Sequence, residues 1–222
     1  MCGRFTLKAI PENLMAELGL SALPDDFTPR YNIAPSQKIL GIVDGKAPAF
    51  QYFRWGLIPV WAKEAKIGYR MINARSETVG TKKTFKGLIA KNRCLIVADG
   101  FYEWENTGSS KVPYYVFLKS KIPFTFAGLW SLWKDPQGHE ILSCTILTTE
   151  ANSLVKPIHD RMPVILDKAE RPRWLSETAP DEATLASLCR PFSSEKMTQY
   201  KVSNHVNSPT HEDPRCVQAV RD

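Results

Sequence analysis

No Cys-x-x-Cys pair occurs in the 222 residues. The five cysteines are Cys2, Cys94, Cys144, Cys189 and Cys216, an odd number at wide spacings. That sets aside a zinc knuckle and a thioredoxin-type redox pair, and neither a metal nor an organic cofactor is expected. Free, mostly buried thiols in a reducing cytoplasm are the simplest reading. No apolar run approaches the ~18 residues of a membrane span. The opening MCGRFTLKAIPEN has no basic segment leading into an apolar one, so no secretory signal is read there. The expected location is cytoplasmic, with no membrane partner. Repeats, low-complexity tracts and Pro/Gly/Ser linkers are also missing, and the polar stretch Ser176–Glu182 is short.

What is present is ordinary for a globular chain: 43% hydrophobic and 23% charged residues. Lys plus Arg exceed Asp plus Glu by 29 to 23, a net charge of +6. This excess permits an anionic partner without requiring one. The length fits a single domain over residues 1–222, with a polar tail from roughly 209 whose end frays. No protein partner is legible, and a monomer is expected.

Strands are predicted at Arg4–Leu7, Lys38–Val43, Ala49–Trp55, Cys94–Ala98, Phe101–Trp104, Tyr114–Leu118, Phe124–Leu129, Leu142–Thr149, Pro163–Leu166 and Thr198–Val202. Asp44-Gly45 is a hairpin signal, and Asn106–Ser110 reads as a turn. Pro11–Leu18 has proline in the first turn, Ile10, Leu14 and Leu18 on one face, and Gly19 as a stop. Further short helices are predicted around Thr84–Lys91, Ala151–Val155, Lys168–Leu175 and Asp181–Cys189. Strands joined by turns, without regular strand–helix alternation, predict an α+β fold. Its sheet is largely antiparallel and curled toward a barrel.

Four places carry chemistry. Cys2 becomes an amino-terminal cysteine if Met1 is removed. Its α-amine and thiol then stand two carbons apart, with ordinary pKa values near 7.7–8.0 and 8.5. An aldehyde condenses with such an amine, and the thiol closes onto the imine carbon to give a thiazolidine. An internal cysteine cannot do this. Position alone, however, favours an incidental residue behind a start codon. Asn73, in MINARSET, offers an amide to an oxyanion or an amine, with Arg75 on the same face if the segment is extended. A turn asparagine beside a solvated arginine fits equally. Glu103, in ADGFYEW, is either a carboxyl among aromatics with a raised pKa or a strand residue facing water. His159, in PIHDRMP, is placed for proton transfer, although a lone histidine is more often structural.

Taken together, MCGRF, YNIAPSQ, RWGLIPVWA, INARSET, ADGFYEW, IHDRMPVIL and VSNHVNSP make the chain resemble the SOS response-associated peptidase (SRAP) family, its bacterial YedK-like branch in particular. The resemblance runs from Cys2 to about Pro209. It implies a single SRAP-type domain that senses abasic sites in single-stranded DNA. It implies a covalent thiazolidine between Cys2 and the ring-opened sugar, with Asn73, Glu103 and His159 as the other catalytic residues. The lesion would be shielded during the DNA damage response, and the protein would sit with the nucleoid. The imine stage also admits AP-lyase cleavage, and the family name implies processing of Met1. Arg4, Arg75, Lys83, Lys86 and Arg161 suit DNA phosphates. Trp61 and Pro35 suit an exposed base. Two other readings stay open. One is a cysteine peptidase using Cys2 and His159; the other is a non-covalent single-strand-binding module.

Overall fold

The computed structural model describes residues 2–43 and 49–220. Met1 and the Asp44-Gly45 turn lie outside the described residues. Among the described residues there are thirteen strands, mostly in succession, with short helices inserted. The strands are β1 Arg4–Leu7, β2 Arg30–Ile33, β3 Lys38–Val43, β4 Ala49–Trp55, β5 Asn73–Arg75, β6 Arg93–Ala98, β7 Gly100–Asn106, β8 Lys111–Leu118, β9 Phe124–Lys134, β10 Glu140–Glu150, β11 Arg161–Pro163, β12 Ile165–Leu166 and β13 Met197–Lys201. The helices are α1 Pro11–Leu18, α2 Ser76–Val79, α3 Lys83–Lys91, α4 Arg171–Trp174 and α5 Glu182–Leu188.

Five strands close on themselves in the order β10-β4-β3-β6-β9, with β9 returning to β10. Only the β4–β10 contact in this ring is parallel. The expected antiparallel, barrel-like core is therefore found. Closure brings backbones near one another: a Cβ on Gly41 would lie 2.7 Å from the Leu95 carbonyl oxygen, so only glycine fits there. A second sheet, β13-β8-β7-β1-β2, lies against the barrel. Phe126 of β9 joins them, meeting Phe5 of β1 and Phe101 of β7 at centroid distances of 5.7 and 6.3 Å. Both sheets thus bury one continuous core.

The local signals work where they are strong. Pro11 starts α1, and Gly19 stops it at φ 67°. Asp181 caps α5 by accepting from Thr184 N at 2.8 Å. Three predicted elements differ. No helix forms at Ala151–Val155, because Asn152 Oδ1 accepts from Leu154 N and Val155 N and folds the segment into turns. The helix expected at Lys168–Leu175 is only α4, since Pro172 suits a first turn and not an interior. The strand at Pro163–Leu166 is two: β11 pairs with β10, and β12 with β9. Residues 161–166 fill the wedge where β9 and β10 part.

The carboxy-terminal stretch differs most from its expected loose end. Glu212 accepts from Tyr31 N and Asn32 N, the latter at 2.8 Å. Val202 bridges to Ala219, and Cys216 is fully buried. The buried Asn32 donates its amide to the carbonyls of Val206, Ser208 and His211. The segment is fastened along the outer sheet.

Asp99 fixes β1. Its carboxylate accepts from Thr6 Oγ1 at 2.5 Å and from the backbone N–H groups of Lys8 and Ala9 at 2.7 and 2.6 Å. Asp99→Ala strands these donors in a buried site, at ~1–3 kcal/mol for a lost acceptor. Urea unfolding should show a loss of at least ~2 kcal/mol, and an unchanged midpoint would refute this role.

Candidate active site

The antiparallel register of β1 on β7 pairs Arg4 with Tyr102 and Phe5 with Phe101. Carried one residue further, it sets Gly3 opposite Glu103, so Cys2 enters the fold beside that carboxyl. On the barrel side, β5 runs parallel to β10 and pairs Asn73 with Ile146. Asn73 Nδ2 donates to the Cys2 carbonyl at 2.8 Å. Asn73 Oδ1 has no hydrogen-bond partner among the described residues. The amide is thus tethered at one end and has a free acceptor at the other.

Glu103 resolves one of the sequence alternatives. It is 2% exposed rather than facing water. Burial pushes its carboxyl up to about 7, against the pull of the positively charged amino terminus. Burial also pushes the Cys2 thiol well above its ordinary value, and the Glu103 charge adds to this.

His159 follows the turn set by Asn152 and is half buried. Its Nδ1 accepts from Arg161 N at 2.9 Å, which leaves Nε2 to carry the exchangeable proton of the neutral ring. Burial lowers its pKa, and the amino-terminal charge lowers it further. Cys2, Glu103 and His159 all feel that one charge. The structure thus brings Asn73 and Glu103, 30 positions apart in the chain, onto Cys2.

The expected phosphate-binding cations divide. Arg75 is exposed at the end of β5, and Lys83 and Lys86 are exposed on α3. Arg161 is not free: it forms a two-pronged pair with Glu77, at 2.6 and 3.0 Å, and donates to the Thr148 carbonyl at 2.6 Å. Arg4 is likewise engaged, donating to Asn32 Oδ1 at 2.8 Å and to the carbonyls of Val206 and Asn207 at 2.7 and 3.0 Å. Its guanidinium clasps the carboxy-terminal segment to β1. Both guanidinium groups thus meet internal partners and stay only partly exposed. The internal partners, Glu77 and Asn32, lie within the quoted sequence blocks, but nothing in their spacing marks them.

Trp61 is 61% exposed, and Val60 and Tyr69 are exposed beside it. Tyr69 hydrogen-bonds Arg54 and Ser36, which lowers its pKa. Ser36 adjoins the half-buried Pro35, so the Pro35 turn and the Trp61 surface form one neighbourhood. Lys63, Lys66 and Arg70 line the same concavity. No helix among the described residues is long and apolar enough to cross a membrane.

The family model for the SOS response associated peptidase (SRAP) matches residues 1–209. The chain belongs to the SRAP family. As an SRAP protein it is 44% identical over 223 residues to the abasic site processing protein YoqW of Bacillus subtilis, covering 99% of this chain and 100% of that one. It is 34% identical to the abasic site processing protein HMCES of Xenopus tropicalis, covering 88% of this chain and 68% of that protein. A solved protein from Bacteroides thetaiotaomicron superposes with a TM-score of 0.84 at 30% identity, covering 99% and 100% of the two chains. The SRAP fold is thus shared along the whole length.

Proposed function

We propose that this protein captures abasic sites in single-stranded DNA as a thiazolidine on Cys2, after removal of Met1 frees the α-amine. The observation that carries the reading is the placement of Cys2 between the tethered amide of Asn73 and the buried carboxyl of Glu103. The names of YoqW and HMCES supply the lesion.

In the proposed sequence, the amine of Cys2 adds to the C1′ aldehyde of the ring-opened sugar. Asn73 Oδ1 accepts from that amine and orients it. Glu103, protonated, gives its proton to the departing hydroxyl, and water leaves as the imine forms. The Cys2 sulfur then bonds to the imine carbon. The thiol proton is carried off by the Glu103 carboxylate, and the ring nitrogen becomes a secondary amine. His159 Nε2 exchanges protons with the carbinolamine as the imine forms or reverses. At the imine stage, loss of the C2′ proton would give β-elimination, so slow strand cleavage accompanies capture.

A peptidase reading fits less well. A cysteine peptidase attacks through its thiolate and gives no role to a free α-amine on the same residue. The deciding experiment uses protein whose mass confirms the loss of Met1. An oligonucleotide with one abasic site should give a heat-stable band on a denaturing gel, and the same oligonucleotide without the lesion should give none. Absence of the band despite DNA binding would overturn the proposal.

Electrostatic attraction to the strand rests on Arg75, Lys83 and Lys86, with Trp61 and Pro35 offering apolar faces to a base. Arg75→Gln should weaken binding of any single-stranded sequence and make the salt slope shallower by about 0.7, the value for one phosphate contact. Fluorescence anisotropy over a salt series measures this. An unchanged slope would remove Arg75 from the interface.

A further inference from the structure

The fastened carboxy-terminal segment holds a side-chain cluster that the capture chemistry does not use. His205 lies in the turn Asn204–Asn207, capped by Ser203, and Cys216 lies in the turn Pro214–Val217, capped by Asp213. One ligand atom each of His205, Asp213 and Cys216 lie within 4.8 Å of one another. We propose that these three residues bind a divalent cation of the zinc class, with one water as fourth ligand, and that the ion staples the carboxy-terminal segment to itself.

Four observations support this. The donor set of thiolate, imidazole and carboxylate suits zinc and excludes magnesium or calcium. The histidine is already oriented: His211 stacks on it at 3.8 Å with planes 9° apart, and His211 Nδ1 donates to the His205 carbonyl at 2.6 Å. The carboxylate is fixed by Arg215, whose Nε and Nη2 donate to its two oxygens at 2.9 and 2.8 Å. Such outer partners are what fix metal ligands in place. The cluster is also reachable from solvent: the His205 and Asp213 side chains are 19% and 32% exposed, while Cys216 is buried. The Cys216 sulfur adjoins no amine and takes no part in the capture chemistry, and zinc is held by such thiolates.

In the metal-free chain His205 Nε2 and Asp213 Oδ2 share a hydrogen bond of 3.0 Å. Binding breaks the Cys216 S–H bond, forms a sulfur–metal bond and releases that proton to solvent. His205 exchanges its Nε2 proton for one on Nδ1, and the six-coordinate aquo ion gives up all but one of its waters. No oxidation or reduction is involved. The stapled turn carries Val206 and Asn207, whose carbonyls receive Arg4, and Asn207 Oδ1, which receives Trp104 Nε1 at 2.8 Å. The ion would therefore stiffen the support behind β1 and β7.

The test is cobalt(II) titration of the full chain carrying Cys2→Ser, so that an amino-terminal thiol does not chelate. One equivalent should produce a near-ultraviolet thiolate-to-cobalt band. The band should vanish in a further Cys216→Ser change and, separately, in His205→Gln, with circular dichroism confirming that each folds. Zinc should displace cobalt and raise Tm by about 5–10 °C at ~100 times Kd, and should not do so in His205→Gln. No band, or a band that survives both substitutions, overturns the proposal.

Discussion

Cys2→Ser is expected to reduce the heat-stable adduct to the level seen with lesion-free DNA. The change is one atom, and it separates the two steps of the proposed chemistry. Serine keeps the α-amine, so the aldehyde still condenses to an imine. The hydroxyl is a far poorer nucleophile than sulfur, the ring does not close, and the imine hydrolyses on denaturation. Borohydride reduction before denaturation should therefore restore a band in Cys2→Ser, whereas acetylation of the amine should remove it from both proteins. No other thiol can substitute. Cys94 and Cys144 are buried in barrel strands, Cys189 and Cys216 are buried elsewhere, and none adjoins an amine. A normal yield of heat-stable adduct from Cys2→Ser, without borohydride, would show that the thiazolidine scheme is wrong.

The proposed capture residues stand out because their strings are distinctive, but their convergence is not legible. Cys2 and Glu103 meet through the β1–β7 register, which Asp99 sets from outside the site. The sequence reads Asp99-Gly100 as a turn and says nothing of the three donors folded back onto its carboxylate. Asn73 meets Cys2 only because β5, three residues long, pairs in parallel with β10. A strand that short has no periodicity to detect. Barrel strands such as Lys38–Val43 were recovered to the residue because β-branched and aromatic runs bounded by turns are strong local signals. The internal partners of Arg4 and Arg161 are illegible for the converse reason: a basic side chain near a site in sequence says nothing of which carbonyl or carboxylate it meets after folding. Arg161 is claimed by Glu77, 84 positions away, and Arg4 by backbone some 200 positions away.

Glu103→Gln should slow adduct formation by ~10²–10⁴, the usual worth of a positioned acid. It should also change two pH dependences in ways that a merely structural glutamate would not. With its carboxyl raised to about 7, wild-type capture should decline as pH rises through 7, because the acid loses the proton it gives to the departing hydroxyl. The Gln variant should be slow and lack that descending limb. Stability should move in a linked manner. The unfolded chain ionises Glu103 near its ordinary value of 4.5, so between 4.5 and about 7 the native state holds more protons than the unfolded one. Stability therefore falls as pH rises across this window and is level above it. The gap is about 2.5 pKa units, on the order of 3 kcal/mol at 1.36 kcal/mol per unit. Glu103→Gln removes the cost of burying a charge, so its urea midpoint should stay flat from pH 4.5 to 7 and exceed the wild type at pH 8. A variant that captures more slowly and is more stable at high pH marks a carboxyl buried for its chemistry. A variant that is both slow and less stable at every pH would reduce Glu103 to a packing residue.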